Sequence, residues 1–152
     1  MFFRSQTSEL VVWLGPRVLR VLRNSAQTQP RSPERGGQVF GDFDGTLVRC
    51  RVATRDGLHT RRARTSLVVD REHERREIGV MFDRGLHFIG TWHTHPEPAP
   101  VPSSTDEETC IDQFRRSQHN LRRMLLVVVG TGIGADGIWL GTVDARRVER
   151  LD

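Results

Sequence analysis

Three consecutive segments decide the reading of this chain: Thr91-Trp92-His93-Thr94-His95-Pro96, then Glu97-Pro98-Ala99-Pro100-Val101-Pro102, then Ser103-Ser104-Thr105-Asp106-Glu107. Side chains alternate along a strand, so His93 and His95 project to the same side and can converge on one ion. Pro96 ends the strand, and the prolines after it carry a stiff loop away and back. Ser103 to Asp106 offers capping residues, and the acidic run that follows suits the first turn of a helix. A carboxylate placed there, Asp106, can turn back as a third ligand. Two imidazoles, one carboxylate and an open fourth position are what a catalytic Zn2+ requires, and one ion per chain is expected.

Working outward, His87 to His95 reads as the strand that carries the pair. Glu72 to Asp83 reads as a helix with Ile78, Met81 and Phe82 facing inward and Gly85 at its end. On the other side, Asp106 to about Asn120 reads as a helix with Cys110, Ile111 and Phe114 as apolar contacts. Arg122 to Gly130 is nearly all apolar and reads as a central strand. Gly132 to Gly137 turns the chain, and Ile138 to Asp144 closes the sheet. The tail from Arg146 is charged and need not be ordered.

Earlier in the chain, Leu10 to Leu14 reads as a buried strand. Gly15-Pro16 opens an amphipathic helix in which Val18, Leu19, Val21 and Leu22 alternate with Arg17, Arg20 and Arg23. Asn24 to Pro33 reads as a surface loop that delivers Glu34. Gln38 to Phe43 and Leu47 to Ala53 read as a hairpin about Asp44-Gly45. Thr54 to Arg64 reads as a loop or ragged strand, and Ser66 to Asp70 as another strand. Strands interrupted by helices predict an α/β fold, a mixed β-sheet flanked by helices.

Composition narrows the function. At 152 residues the chain suits one domain over 1–152, with little room for a second. No apolar run reaches the roughly 18 residues that span a bilayer. The start, Met1 to Gln6, lacks the apolar core of a signal peptide, so a cytoplasmic protein without a membrane partner is expected. Two cysteines, Cys50 and Cys110, make neither a disulfide framework nor a zinc ribbon. The net charge of +4 is carried by arginine alone, since the chain has no lysine. These arginines are scattered among acids, and no nucleic-acid motif accompanies them, so nucleic acid is not the expected partner.

The spacing also resembles a known family. His-x-His-Pro, a short loop and Ser-x-x-Asp are similar to the JAMM signature of the MPN-domain metallopeptidases. Pro33-Glu34-Arg35-Gly36-Gly37-Gln38-Val39-Phe40-Gly41 resembles that family's upstream Glu-x-Gly-Gly segment. The resemblance runs from about Leu10 to Val143. Glu97 to Pro102 makes six residues between His-Pro and the serine, where eukaryotic members usually have seven, which is closer to the compact bacterial branch. It implies a cytidine-deaminase-like MPN (JAB) fold and a zinc isopeptidase. The substrate would be a ubiquitin-like or similarly conjugated protein, cut after its C-terminal tail. Some members of that branch are encoded beside ubiquitin-activating-like enzymes in antiphage (CBASS type) or mobile-element operons, so such an enzyme system is an expected partner.

In that scheme His93, His95 and Asp106 hold the metal, which lowers the pKa of a water in the fourth position. Glu34 takes the proton and passes it to the leaving amine. Ser103 stands off the metal, and in the family the matching serine donates to the water or the developing oxyanion. Thr94 and Trp92 alternate away from the site, and His59, His73, His87 and His119 carry no motif. Other metal chemistries fit less well. Amidohydrolase barrels need about 250 residues, nucleobase deaminases need His-x-Glu with Pro-Cys-x-x-Cys, and His-Glu-x-x-His is absent. A non-catalytic MPN scaffold, or a hydrolase of a small amide or thiocarboxylate carrier, remain the alternatives.

Overall fold

An all-apolar strand has no face for water and must be covered on both sides. Met124–Val129 is such a strand, and every one of its residues is buried. Leu125, Val127 and Val129 belong to one apolar cluster, whereas Met124, Leu126 and Val128 belong to another. The period-two alternation of a single segment thus divides the core into two halves.

In chain order the elements are β1 (Phe2–Arg4), β2 (Val11–Leu14), α1 (Pro16–Ser25), β3 (Gly36–Asp44), β4 (Leu47–Ala53), β5 (Arg61–Arg62), β6 (Leu67–Val68), α2 (Arg71–Asp83), β7 (His87–Thr94), α3 (Ser104–Arg116), β8 (Met124–Val129), β9 (Ile138–Val143) and β10 (Val148–Leu151). The computed structural model describes residues 1–29, 31–56, 61–62, 67–68, 70–117 and 121–152. His59 and His119 fall outside them, as do parts of the stretches read as a ragged strand, a strand to Asp70 and a helix to Asn120.

Eight strands form one mixed sheet in the order β1-β2-β4-β3-β7-β8-β9-β10, and β5 pairs with β6 alone. The β2–β4 and β7–β8 pairs are parallel and the others antiparallel. At the two outer strands, Arg4 and Asp152 exchange backbone hydrogen bonds of 2.5 and 2.9 Å, so the sheet curls until its edges meet. One face packs on α1 through Val18 and Leu22. The other packs on α3 through Cys110, with Ile111 and Phe114 beside it. Among the described residues, no helix is long and apolar enough to cross a membrane.

Two expectations need correction, and one strand lay outside the reading. The charged tail is ordered: Val148–Leu151 adds to β9 antiparallel, and Leu151 is only 1% exposed. Leu151 packs into one apolar cluster and Val148 against the other. At the other end, β1 adds to β2 and buries Phe3, a strand too short to show periodicity. The second correction concerns α2, whose inner face is polar. Glu77 accepts from Thr54 Oγ1 at 2.8 Å, and the amide of buried Gln38 is placed to donate to Glu74 O at 3.1 Å and Glu77 Oε2 at 3.2 Å. Ile78 and Phe82 instead turn toward an open groove of about 1030 Å3 between α2 and α3, and Phe82 is 65% exposed.

Shortening Leu151 to alanine should remove about 2–5 kcal/mol of stability. Urea denaturation checks this, and an unchanged midpoint would deny β10 its place in the core.

Candidate metal centre

Three elements bring the polar side chains together. β7 runs beside β8, with His93 opposite Val128 and Thr94 opposite Val129. One residue further, the His95 amide donates to Val129 O at 2.8 Å, which keeps the chain straight until Pro96. The proline loop is then clamped to the β8–β9 turn. Thr131 N donates to Glu97 O at 2.9 Å and Gly132 N to Pro98 O at 3.1 Å. The approach is close enough to demand glycine: a Cβ on Gly130 would lie 2.3 Å from Glu97 O and 2.7 Å from Pro100 Cδ. This clamp sets where α3 begins.

α3 begins with a reciprocal cap. Ser103 Oγ accepts from the Asp106 amide at 3.2 Å, and Asp106 Oδ2 accepts from Ser103 N at 2.7 Å and Ser103 Oγ at 2.6 Å. The cap therefore both starts the helix and fixes the carboxylate. Asp106 Oδ2 lies 3.5 Å from His93 Nε2 and 3.3 Å from His95 Nε2, and the two nitrogens are 3.2 Å apart. A tetrahedral ion with bonds of about 2.0–2.1 Å has ligands about 3.3–3.4 Å apart. The donor set thus fits a metal of zinc's size and preferences. Of the described residues, only these form a group of three or more such donors.

Glu34 reaches the site through the β3–β7 register. Gly36 pairs with His93, and continuing the antiparallel register sets Arg35 against Thr94 and Glu34 against His95. A hydrogen bond of 2.8 Å from Thr94 N to Arg35 O carries the pairing to Arg35, and Glu34 beside it feels the charge of both imidazoles. Glu34 and both histidines therefore share a face. Glu34 is 6% exposed. Burial pushes its carboxyl above the usual range, opposed by the nearby imidazoles and reinforced by Asp106.

Burial would also raise Asp106, but hydrogen bonds from His93, His95 and Ser103 outweigh it and hold the carboxyl well below its ordinary value. The His95 imidazole is raised, chiefly by its hydrogen bond to Asp106, against burial. Glu97 adds to that effect from 3.7 Å at His95 Nδ1.

Ser103 holds Asp106 in place, a contact that its reading as an oxyanion donor did not anticipate. Gln27, unmarked in its polar loop, is buried and bonds the hydroxyl of Thr94 at 3.0 Å. Trp92 packs in the core, its Nε1 donating to Thr54 O at 2.8 Å. Burial pushes the Cys110 thiol up to about 11 and Cys50 up to about 12, so neither is a nucleophile near neutrality. His73 sits 3.3 Å from Glu77, and His87 lies between Phe43 and Phe82, both away from the cluster.

The family model for prokaryotic homologs of the JAB domain matches residues 16–140. The chain belongs to that family. A Vibrio cholerae serotype O1 protein named CD-NTase/cGAS isopeptidase is 34% identical over 147 residues, covering 93% of this chain and 86% of its own. An Escherichia coli protein of the same name is 28% identical over 144 residues, with the same coverage. The solution structure of protein DSY2949 from Desulfitobacterium hafniense superposes with a TM-score of 0.63 at 15% identity, over 91% of this chain and 88% of that one. It shares the mixed sheet and flanking helices of this JAB-family chain.

A metal needs His95 neutral, and the raised pKa means that protons compete for this nitrogen to a higher pH than for an ordinary imidazole. Zinc affinity should fall as pH drops through that value, with proton release on binding. Asp106 contributes none of those protons, being ionised already. Calorimetric titration of metal-stripped protein in buffers of different ionisation enthalpy measures the release, and zinc uptake without it would contradict the assignment.

Proposed function

We propose that this JAB-family protein is a zinc-dependent isopeptidase that hydrolyses the amide bond joining a conjugated protein to its acceptor. The observation that carries the reading is the triangle of His93 Nε2, His95 Nε2 and Asp106 Oδ2, with edges of 3.2, 3.3 and 3.5 Å, beside a buried Glu34. His93, His95 and Asp106 would hold the ion. When bound there, zinc supplies a Lewis acid that acidifies water and polarises a carbonyl.

The chain supplies the remaining chemistry. Glu34, raised by burial, is a stronger base than a solvated glutamate. It accepts a proton from the attacking water and returns it to the leaving nitrogen, so amide and water become carboxylate and amine. Ser103 keeps Asp106 turned toward the imidazoles, the kind of outer contact on which metal sites depend. The isopeptidase name of two relatives that this chain matches across most of their length favours a conjugated protein over a small carrier. A CD-NTase/cGAS-type protein linked to a lysine side chain is the first substrate to try. A cytoplasmic setting, and a role in antiphage defence beside a ubiquitin-activating-like enzyme, belong to the same reading.

The groove between α2 and α3 is where we place the protein part of the substrate. α3 carries Asp106 in its first turn and lines the groove with Thr109, Asp112 and Gln113, while Phe82 and Ile78 offer apolar contacts opposite. Phe82→Ala should raise KM several-fold with kcat kept. A drop in kcat alone would move the substrate elsewhere.

Glu34→Gln should lower kcat by about 100- to 10,000-fold while zinc stays at one per chain. Cleavage of the isopeptide-linked CD-NTase/cGAS-type conjugate, followed with and without chelator, is the assay. Full activity of the variant, or of chelated protein, would refute the mechanism.

A further inference from the structure

The residue between the two histidines has its own set of contacts. Thr94 is fully buried, and its Oγ1 accepts from the Arg35 amide at 2.9 Å and donates to Gln27 Oε1 at 3.0 Å. Its own amide donates to Arg35 O at 2.8 Å. Both backbone polar groups of Arg35 are therefore bound to one residue, and Arg35 is the covalent neighbour of Glu34. Gln27 is buried as well, and its Nε2 donates to Ser32 O at 2.9 Å, which ties the segment leading into Glu34 to the same point.

Glu34 and Arg35 precede β3, which begins at Gly36. The Thr94 amide serves Arg35 O as a ladder bond would, but the Arg35 amide is bound by the Thr94 hydroxyl. Valine has nearly the shape of threonine without the hydroxyl, so a packing role would survive that exchange and a hydrogen-bonding role would not.

We infer that Thr94 and Gln27 are positioning residues for Glu34: the Thr94 hydroxyl, oriented by Gln27, fixes the segment 34–35 over the His93–His95 pair. The inference rests on the reading of Glu34 as the base, and it adds what holds that base in place. Alternation places Thr94 on the opposite side of β7 from the two histidines. The strand therefore presents ligands on one side and secures the base from the other.

The test compares zinc-loaded wild type with Thr94→Val and Thr94→Ser. Three quantities are read: zinc per chain, amide hydrogen exchange at Arg35, and kcat and KM on the isopeptide-linked conjugate. In Thr94→Val, exchange at Arg35 should rise at least about tenfold and kcat fall by about 100-fold, the scale of a small misplacement of a catalytic group. Zinc should remain at one per chain and KM should change little. Thr94→Ser should restore both exchange and kcat.

Unchanged exchange in Thr94→Val would overturn the inference. So would a kcat loss in Thr94→Ser equal to that in Thr94→Val, or a loss that only follows zinc loss. If Thr94→Val does not fold, Gln27→Leu, which keeps the hydroxyl but removes its acceptor, takes its place with the same three readouts. If wild type leaves the conjugate intact, the isopeptidase reading fails, and Arg35 exchange still decides whether the hydroxyl holds this segment.

Discussion

The antiparallel register between β3 and β7 is the constraint on which the rest depends. With Gly36 opposite His93, Arg35 lies against Thr94, and Glu34 beside it comes near both imidazoles. A slip of one residue would send Glu34 to the far face, because side chains alternate with a period of two. Close packing makes such a slip costly. A Cβ on Gly37 would lie 2.2 Å from Thr54 O and 2.9 Å from Trp92 Nε1. Trp92 Nε1 in turn donates to Thr54 O. The glycine pair upstream and the tryptophan before the first histidine therefore fix one pairing.

The second constraint is on the carboxylate side of the site. Asp106 lies thirteen positions after His93 and on a different element, yet its Oδ2 meets both imidazoles. The proline loop is short and bound at Glu97 and Pro98 to the β8–β9 turn, so α3 starts at a defined place. The capping box then defines the rotamer of Asp106. Three separate backbone pairings, β3 to β7, β7 to β8, and loop to turn, thus converge on a volume about the size of one ion. Together they leave the polar groups little freedom to lose on binding.

Much of this was legible in the sequence because it depends on short-range rules. Alternation placed His93 and His95 together, Ser103 announced a helix start, and the all-apolar run Met124–Val129 announced a central strand. The polar seat of α2 was not legible. Its apolar residues have helical spacing, and only the partners on the sheet, Gln38 and Thr54, show that Glu77 faces inward. β10 was missed because its single buried anchor, Leu151, gains meaning only from the cluster that receives it. Gln27 carried no signal either. A glutamine in a polar loop looks solvated until the fold sets it against Thr94, sixty-seven residues away.

X-ray absorption at the zinc edge of metal-loaded wild-type protein tests the central claim most directly. The account predicts four-coordinate zinc with two imidazoles and oxygen donors at about 2.0–2.1 Å. A sulfur contribution at about 2.3 Å would bring in Cys110, one helical turn beyond Asp106, and contradict the ligand set. A single imidazole would contradict it equally, because the register that places Glu34 also places both histidines.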